Sequence, residues 1–320
     1  MSSRSRFAGG AVAGTVCLAV IAGALIWAEC TSVTRRDAAP AAASATTPAS
    51  ATRYLGVYAP GTPGSYDQVG SFASATGTEP GIVVYYSVWG ESFAAAFASQ
   101  AQGRGATVLV QLQPNHGAVG AVADGRDDAY LRSYAQQVRR FGHQVIISFG
   151  QEMNGPWYSW GQGHVPPSLF IAAWRHMITL FRAQGATNVT WLWDVNCELG
   201  KPLPVAPWWP GSAYVTWAGL DCYYAKPSDT FSSIFGPTIA AIRKVKSKPV
   251  LIAETASGPA SGKQREAQIR SLFAGTEADH LLGFVWFDQK QDDGPYHQDW
   301  RLEDDPAALA AFKAAAKQYG

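Results

Sequence analysis

The chain has 320 residues, a formal net charge of +1 and a charged fraction of only 15%. This length allows one large domain or two small ones, and the near-neutral charge argues against a nucleic-acid partner, which would require a basic surface. Aromatic residues reach 12%, with 12 Trp and 13 Tyr. Most aromatic side chains pack in a protein core, but several of these tryptophans lie beside Gly and Pro in predicted loops.

The first 30 residues differ from the rest of the chain. Arg4 and Arg6 precede a run from Phe7 to Ala28 that contains no charged residue. This pattern is typical of a secretory signal peptide or an uncleaved membrane anchor, and the run is close to the length that spans a bilayer, so both interpretations stay open. In either case we expect the rest of the chain to be extracellular or attached to the cell surface.

Residues 31–52 are expected to form a flexible linker. From Asp37 to Thr52 the sequence is almost entirely Ala, Pro, Ser and Thr, a composition that cannot bury enough apolar surface to fold. The remaining residues, 53–320, are close in number to the ~250 of a typical (β/α)8 barrel. We therefore predict one folded domain over residues 53–320.

Eight short apolar or β-branched runs in this domain predict strands. They are Tyr54–Tyr58, Ile82–Tyr86, Thr107–Leu112, Val145–Phe149, Val189–Trp193, Val215–Asp221, Val250–Ala253 and Leu282–Phe287. The clearest helical stretches between and after them are Ser92–Gln102, Asp127–Phe141, Ser168–Gln184, Thr238–Lys246, Gln264–Phe273 and Ala307–Tyr319. Strands that alternate with helices predict a parallel sheet, and eight repeats favour a closed (β/α)8 TIM barrel over an open sheet. The Pro- and Trp-rich stretch from Asn196 to Tyr214 predicts a long loop.

The ends of the predicted strands carry acids, amides and aromatics. In such barrels the active site is built at the carboxyl ends of the strands. The residues at or just beyond these ends are Trp89, Gln113, Glu152, Asn196, Tyr223, Glu254 and Trp286 or Asp288. This composition is typical of a cleft that binds carbohydrate.

Two glutamates at strand ends predict the chemistry. Glu152 follows the strand Val145–Phe149, and Glu254 follows an apolar run with no basic residue within four positions. A carboxylate in such a place carries a desolvation cost without a local ion pair, which favours a functional role. Two carboxyl groups are what glycoside hydrolysis needs, one to protonate the leaving oxygen and one to attack or to activate water.

The segment Gln151–Gly161, QEMNGPWYSWG, resembles the acid/base motif of glycoside hydrolase family 26, the retaining β-mannanases and their relatives. The resemblance extends from about Tyr54 to the C-terminus and implies a (β/α)8 barrel with Glu152 as acid/base and Glu254 as nucleophile. The family usually has His immediately before the acid/base residue. Gln151 stands there in this chain; an amide cannot titrate, but it can bind a sugar hydroxyl or orient a carboxylate.

The same resemblance and the strand-end positions suggest further substrate-binding residues. By resemblance, Tyr223 contacts the nucleophile and Trp286 is a sugar platform on the last strand. Each of these aromatics could instead be a packing residue at the rim. The full set of substrate-binding candidates is Gln151, Asn154, Trp157, Tyr223, Trp286, Trp89 and Asn196.

Cys197 and Cys222 fall at the ends of the predicted fifth and sixth strands. An oxidising compartment would permit a disulfide between them, and two unpaired core cysteines are the alternative. The spacing of Cys and His shows no metal-site pattern, so we expect neither a metal nor a cofactor.

Flat aromatics and uncharged hydrogen-bonding groups suit a neutral β-linked polysaccharide or oligosaccharide. The resemblance favours an endo-acting β-1,4-mannanase, with β-1,3-1,4-glucan and β-1,3-xylan as alternative substrates. Because Gln151 replaces the family His, a catalytically silent barrel that only binds carbohydrate is a further alternative. We expect a monomer, with membrane attachment only through the N-terminal segment.

Overall fold

The computed structural model describes residues 53–115, 117–197, 203–258, 262–292 and 298–319. The predicted leader and linker, residues 1–52, lie outside these ranges. Eight parallel strands form a closed barrel in chain order, and the first strand pairs with the last. The predicted (β/α)8 barrel is therefore confirmed.

The eight strands and the six predicted helices agree closely with the structure, whereas the helices Asp67–Thr76, Ala118–Ala123 and Phe231–Ile234 were not predicted. The strands are β1 (Tyr54–Tyr58), β2 (Ile82–Val88), β3 (Thr107–Gln113), β4 (Val145–Phe149), β5 (Val189–Asn196), β6 (Trp217–Asp221), β7 (Val250–Thr255) and β8 (Gly283–Phe287). The helices are α1 (Asp67–Thr76), α2 (Ala95–Gln102), α3 (Ala118–Ala123), α4 (Asp128–Phe141), α5 (Pro167–Ala183), α6 (Phe231–Ile234), α7 (Gly236–Val245), α8 (Gly262–Ala278) and α9 (Pro306–Ala316). In the described part of the predicted long loop, the chain forms two short 3-10 turns, Ala206–Trp208 and Ser212–Tyr214.

Strands of this barrel are apolar on both faces because both faces are covered. Small and branched side chains fill the barrel interior, including Ile82, Leu109 and Ile146. The opposite faces pack large aromatics against the helices, as Trp174 of α5 does next to Phe149 of β4. This two-sided packing explains why the strands read as continuous apolar runs.

Towards the carboxyl ends of the strands the interior becomes polar. Gln111 of β3, Asp194 of β5 and Asp221 of β6 are all fully buried. Buried polar groups of this kind cost free energy unless they are hydrogen-bonded. The change from apolar to polar filling marks this end of the barrel as the place to look for a site.

No helix in the described parts of the chain is both long enough and apolar enough to cross a bilayer. The apolar run from Phe7 to Ala28, which carries the anchor prediction, lies outside the residues that the structure describes.

Candidate active site

Glu152 lies in a tight turn directly beyond β4. Its backbone has a φ of 55°, in the left-handed region that non-glycine residues rarely adopt. The turn is held by Glu152 N donating to the carbonyl of Asp194 at 3.0 Å and by Gly155 N donating to the carbonyl of Glu152 at 2.9 Å. A residue held in this conformation stores about 1–3 kcal/mol of strain, and such residues cluster at functional sites.

The Glu152 carboxyl, 8% exposed, accepts two N–H hydrogen bonds. The indole nitrogen of Trp157 donates to Oε2 at 2.6 Å, and the side-chain amide of Asn196 donates to Oε1. Asn196 thus contacts the carboxyl group, as its place at the end of β5 allows.

Asn154 holds the backbone of Asn196 in place. Its amide nitrogen donates to the carbonyl of Asn196, and its amide oxygen accepts from the backbone N–H of Asn196, both at 2.8 Å. Its side chain is fully buried, so both ends of the amide are engaged within the protein. The expectation that Asn154 binds substrate is therefore wrong: it positions Asn196, which in turn holds Glu152.

Glu254, on β7, is held by two tyrosines. The hydroxyl of Tyr223 donates to Oε1 and the hydroxyl of Tyr86 donates to Oε2. The structure therefore places Tyr223 on Glu254, where the family resemblance puts it. Tyr86 was missed by the sequence analysis. It lies two residues after Val84 on β2, an interior position, so the period-2 alternation of a strand could have identified it.

The two glutamates differ in their protonation. Burial raises the pKa of Glu152 to about 8, and the negative charge of Glu254 is the second cause; the bonds from Asn196 and Trp157 oppose both. Burial also raises the pKa of Glu254, against the lowering effect of the two tyrosine hydroxyls. Glu254 thus ionises first and Glu152 keeps its proton near neutral pH. Neighbouring carboxyls whose pKa values are pushed apart are the mark of an acid paired with a nucleophile.

A second pair of carboxyls lies next to the first. Gln111 donates to Asp194 Oδ2 at 2.8 Å, and Asp194 faces Asp221. Burial raises the pKa of Asp194 to about 7 and that of Asp221 well above its usual range. Burial and the neighbouring charges of Asp194 and Glu254 therefore favour the protonated form of Asp221, which can donate to Asp194. Gly219 makes room, since a Cβ there would lie 2.5 Å from Asp194 Oδ1.

Gln151 is buried at 1% exposure, next to the hydroxyl of Tyr158. Among the described residues, neither its amide oxygen nor its amide nitrogen has a hydrogen bond of good geometry. Most buried polar atoms in proteins have a partner, so each exception calls for an explanation such as a water or a ligand group. Gln151 therefore has hydrogen-bonding capacity to spare beside Glu152.

The three candidate tryptophans have different surroundings. Trp157 is 46% exposed on the loop after β4, with its indole nitrogen on Glu152. Trp89 is half-buried; its indole nitrogen donates to Asp127 at 2.9 Å and its ring packs on Tyr130. None of these Trp89 contacts is with either glutamate, so of these two only Trp157 is brought to the carboxyl pair.

The third tryptophan, Trp286, is fully buried on the outer face of β8. Its indole nitrogen donates to the carbonyl of Trp300 at 3.1 Å, and its ring packs on Phe312 of α9 at 5.6 Å. The expectation of a sugar platform at Trp286 is therefore wrong. Successive strand residues face opposite sides, and the neighbouring Phe287 packs on the Tyr58 ring at 4.8 Å instead.

A disulfide joins Cys197 to Cys222, whose Cα atoms are 5.5 Å apart. It connects the residue that follows Asn196 to the residue that precedes Tyr223. It thus links the two halves of the site, next to one contact of each glutamate. In the parts of the chain that the structure describes, no group of three His, Cys, Asp or Glu residues is placed to hold a metal ion.

The chain matches known glycosidases in sequence. The sequence model described as Glycosyl hydrolase family 26 matches residues 122–305. Endoglucanase H of Acetivibrio thermocellus is 28% identical over 270 residues, which are 80% of this chain and 29% of that protein. Beta-1,3-xylanase TXYA of a Vibrio species is 26% identical over 63% of this chain and 48% of its own length. The chain thus spans less than half of each of these two relatives.

Solved structures share the fold. A GH26 β-mannanase from Bacteroides ovatus is 13% identical, with a TM-score of 0.61 over 84% of this chain and 89% of that one. A Cellulomonas fimi endo-β-1,4-mannanase is 16% identical, with a TM-score of 0.60 over 83% of this chain and 70% of that one. Identities this low show the barrel and nothing finer. The family match is stronger, because it covers more than half of the chain. The chain belongs to glycosyl hydrolase family 26.

Proposed function

We propose that the chain is a retaining endo-β-glycosidase that hydrolyses a neutral β-linked polysaccharide, with β-1,4-mannan as the favoured substrate. The observation that carries the proposal is the asymmetry of the carboxyl pair. Glu152 accepts N–H bonds and has a pKa raised to about 8, whereas Glu254 accepts two phenolic O–H bonds and ionises first. This is the division of labour that a general acid and a nucleophile require.

The first half of the reaction breaks the glycosidic bond. The Glu254 carboxylate attacks the anomeric carbon and forms a covalent glycosyl-enzyme ester. The bond between that carbon and the leaving oxygen breaks, and Glu152 gives its proton to the leaving oxygen. Glu152 is then a carboxylate, and the aglycone part of the polysaccharide departs.

The second half releases the product. The Glu152 carboxylate takes a proton from water, and the water oxygen attacks the anomeric carbon while the ester bond to Glu254 breaks. Both carboxyls return to their starting protonation states, and the product keeps the configuration of the substrate. In this scheme the amide of Gln151, which has no hydrogen bond of good geometry among the described residues, binds a sugar hydroxyl, and the half-exposed ring of Trp157 contacts the sugar.

The substrate proposal draws on the relatives. The preference for β-1,4-mannan rests on the resemblance of the segment Gln151–Gly161 to the acid/base motif of the family's β-mannanases. The relatives of higher sequence identity, an endoglucanase and a β-1,3-xylanase, support a β-glucan and β-1,3-xylan as second candidates, and the family resemblance favours β-1,3-1,4-glucan among the glucans. Each of these polymers is uncharged, as the aromatic and amide groups of the site require.

The test is reducing-sugar release from mannan, lichenan, β-1,3-xylan and cellulose, followed by NMR of the anomeric configuration of the first product. We expect release from mannan with retained configuration. If sugar were released only from lichenan or only from β-1,3-xylan, that polymer and not mannan would be the substrate. A product of inverted configuration would overturn the double displacement. Oligosaccharide binding without any release would establish the alternative of a silent carbohydrate-binding barrel.

We further propose that residues 53–320 are the catalytic domain, acting as a monomer outside the cytoplasm. Residues 1–30 would be a signal peptide or membrane anchor, and residues 31–52 a flexible linker. The charge-free run from Phe7 to Ala28 supports this proposal. Mass spectrometry of the protein from medium and membrane fractions tests it: a trimmed N-terminus in the medium indicates a signal peptide, and the intact chain in the membrane indicates an anchor.

A further inference from the structure

The indole of Trp157 folds back over the turn that carries Glu152. A glycine lies under it: a Cβ added to Gly155 would overlap the six-membered ring of Trp157. The absence of a side chain at position 155 therefore allows the indole nitrogen to reach Glu152 Oε2 at 2.6 Å. Several glycines in the described parts of the chain have a positive φ, but Gly155 does not. The close approach of the Trp157 ring, and not the backbone conformation, is therefore what requires a glycine here.

The bond from Trp157 changes in strength during the reaction. An N–H donor bonds a carboxylate about twice as strongly as it bonds a neutral carboxyl group. Glu152 begins the reaction protonated and becomes a carboxylate as it gives up its proton. The bond from Trp157 is therefore strongest after proton transfer, and an interaction that grows along the reaction path lowers the barrier.

The charged surroundings of Glu152 give this bond its importance. The acidic groups around it come from different elements: Glu254 on β7, Asp194 on β5, Asp221 on β6 and the Tyr158 hydroxyl on the loop after β4. The negative charges of Glu254 and Asp194 make ionisation of Glu152 harder. The groups that lower its pKa are the neutral N–H donors of Asn196 and Trp157.

We propose that Gly155 and Trp157 are positioning residues that together stabilise the ionised form of Glu152, the form this carboxyl takes after protonating the leaving group. The proposal rests on the acid/base role proposed above for Glu152. Asn196, at the end of β5, donates to the same carboxyl group, but its position is fixed by its two hydrogen bonds to Asn154. Trp157 is half-exposed on a loop, so it is the donor that a sugar in the cleft can reach.

The first test needs no turnover. Indole N–H signals of the 15N-labelled full chain are recorded by NMR from about pH 5 to pH 10, and the signal that is absent in Trp157→Phe is assigned to Trp157. We expect this signal to shift with a midpoint near pH 8, the pKa of Glu152, and to stop titrating in Glu152→Gln. A Trp157 signal that does not move with pH would overturn the proposal.

The second test uses activity. Without the indole N–H the ionised form of Glu152 is less stable, so its pKa rises. The basic limb of the pH profile of kcat/KM should then move up by about one pH unit in Trp157→Phe, since a hydrogen bond to a charged group is worth about that much. Gly155→Ala should move it in the same direction, because the added methyl group displaces the ring.

Gly70→Ala is the matched control. Gly70 lies in α1, has no positive φ, and a Cβ there meets no atom within 4 Å. It should keep the wild-type pH profile, and equal thermal midpoints among the variants would show that all are folded. A basic limb that stays in place in Trp157→Phe would overturn the proposal. A wild-type protein that hydrolyses nothing while its Trp157 signal still titrates would instead refute the catalytic role and leave the positioning contact standing.

Discussion

The two glutamates of the site are held by different means. Glu152 lies in a left-handed turn and accepts N–H bonds from an indole and an amide. Glu254 lies in β7, where the pairing with β8 shifts register between Ile252 and Thr255, and it accepts O–H bonds from Tyr86 on β2 and Tyr223 just beyond β6. The donors to Glu152 thus come from its own loop and from β5, whereas those to Glu254 come from β2 and from the segment that follows β6.

This difference matters for the chemistry proposed for each. Glu152 must change between protonated and ionised forms, and its N–H donors bind the ionised form more strongly than the neutral one. Glu254 must be ionised and correctly oriented before substrate arrives, which suits fixed donors on a rigid barrel. The comparison therefore predicts that changes near Glu254 alter the rate through orientation and ionisation, whereas changes near Glu152 alter the pH dependence of proton transfer.

The largest effect is expected for Glu254→Ala. Without a nucleophile no glycosyl-enzyme can form, so turnover should fall below detection on every polysaccharide, by more than the ~10²–10⁴-fold that an acid/base residue supplies. Oligosaccharide binding, measured by calorimetry, should persist. Glu79→Ala, an exposed acid before β2, is the control that should keep full activity. Normal turnover by Glu254→Ala would refute the double displacement.

Glu152→Ala should have the next largest effect. Loss of the general acid should lower kcat/KM on polysaccharide by about 10²–10⁴-fold. An aryl glycoside with a good leaving group needs little protonation, so its rate of aglycone release in the first turnover should fall far less. The informative quantity is the loss of rate on polysaccharide divided by the loss of rate on the aryl glycoside, the latter measured by burst kinetics. Equal losses on both substrates would contradict the acid role and reduce the contrast between the two glutamates.

The difference between the contacts of Glu152 and those of Glu254 also explains which parts of the site could be predicted from the sequence. Glu152 and its donor Trp157 lie in one continuous segment, so the motif from Gln151 to Gly161 was sufficient to identify them, although the carbonyl of Asp194 also holds the turn. The contacts of Glu254 join strands far apart in sequence. Tyr223 was found through the resemblance, but Tyr86, 168 residues from Glu254, was not.

The errors at Trp286 and Asn154 have different origins. Strand ends are uncertain by a residue or two, and a shift of one residue reverses the face of a strand. Trp286 was assigned to the cleft although Phe287 holds the interior position. Asn154 lies within the motif, but the motif gives no sign that both ends of its amide are used by Asn196. The eight-strand fold was predictable because the alternation of strands and helices does not depend on exact boundaries.

Removal of the disulfide should have a smaller effect on activity and a clear effect on stability. The two cysteines are 25 positions apart, and closing a loop of this length stabilises a fold by about 3 kcal/mol in the loop-entropy model. Cys197→Ala combined with Cys222→Ala should therefore lower the free energy of unfolding by about that amount, measured by urea denaturation. An unchanged free energy of unfolding would show that the bridge does not contribute to the stability of the folded barrel.

The double variant also tests the link between the halves of the site. Asn196 and Tyr223 adjoin the two cysteines. Loss of the disulfide could therefore weaken the contact of Asn196 with Glu152 and the contact of Tyr223 with Glu254 at the same time. We expect KM and kcat at low temperature to change only a few fold, since β5 and β6 remain paired through their backbones. A loss as large as that of Glu152→Ala would mean that the bridge, and not the strand pairing, aligns the two carboxyls.

The most discriminating effects are expected for Tyr86→Phe and Tyr223→Phe. Each removes one O–H bond from the Glu254 carboxylate, and a hydrogen bond to a charged group is worth about 1.5–3 kcal/mol, so kcat/KM should fall by about 10–100-fold. The pKa of Glu254 should rise, because the ionised form loses a donor. Activity requires Glu254 ionised, so the acidic limb of the pH profile should move to higher pH while the basic limb stays in place.

Tyr319→Phe is the control for these variants, since it removes a hydroxyl from a buried tyrosine that packs on Phe273 and Phe284 away from both glutamates. It should leave both limbs unchanged. A shift of the basic limb in Tyr86→Phe would mean that the tyrosine acts on Glu152 as well, and the two carboxyls would then form one coupled unit. A shift of the acidic limb alone would establish that each glutamate is tuned by its own donors, N–H groups for the proton carrier and O–H groups for the nucleophile.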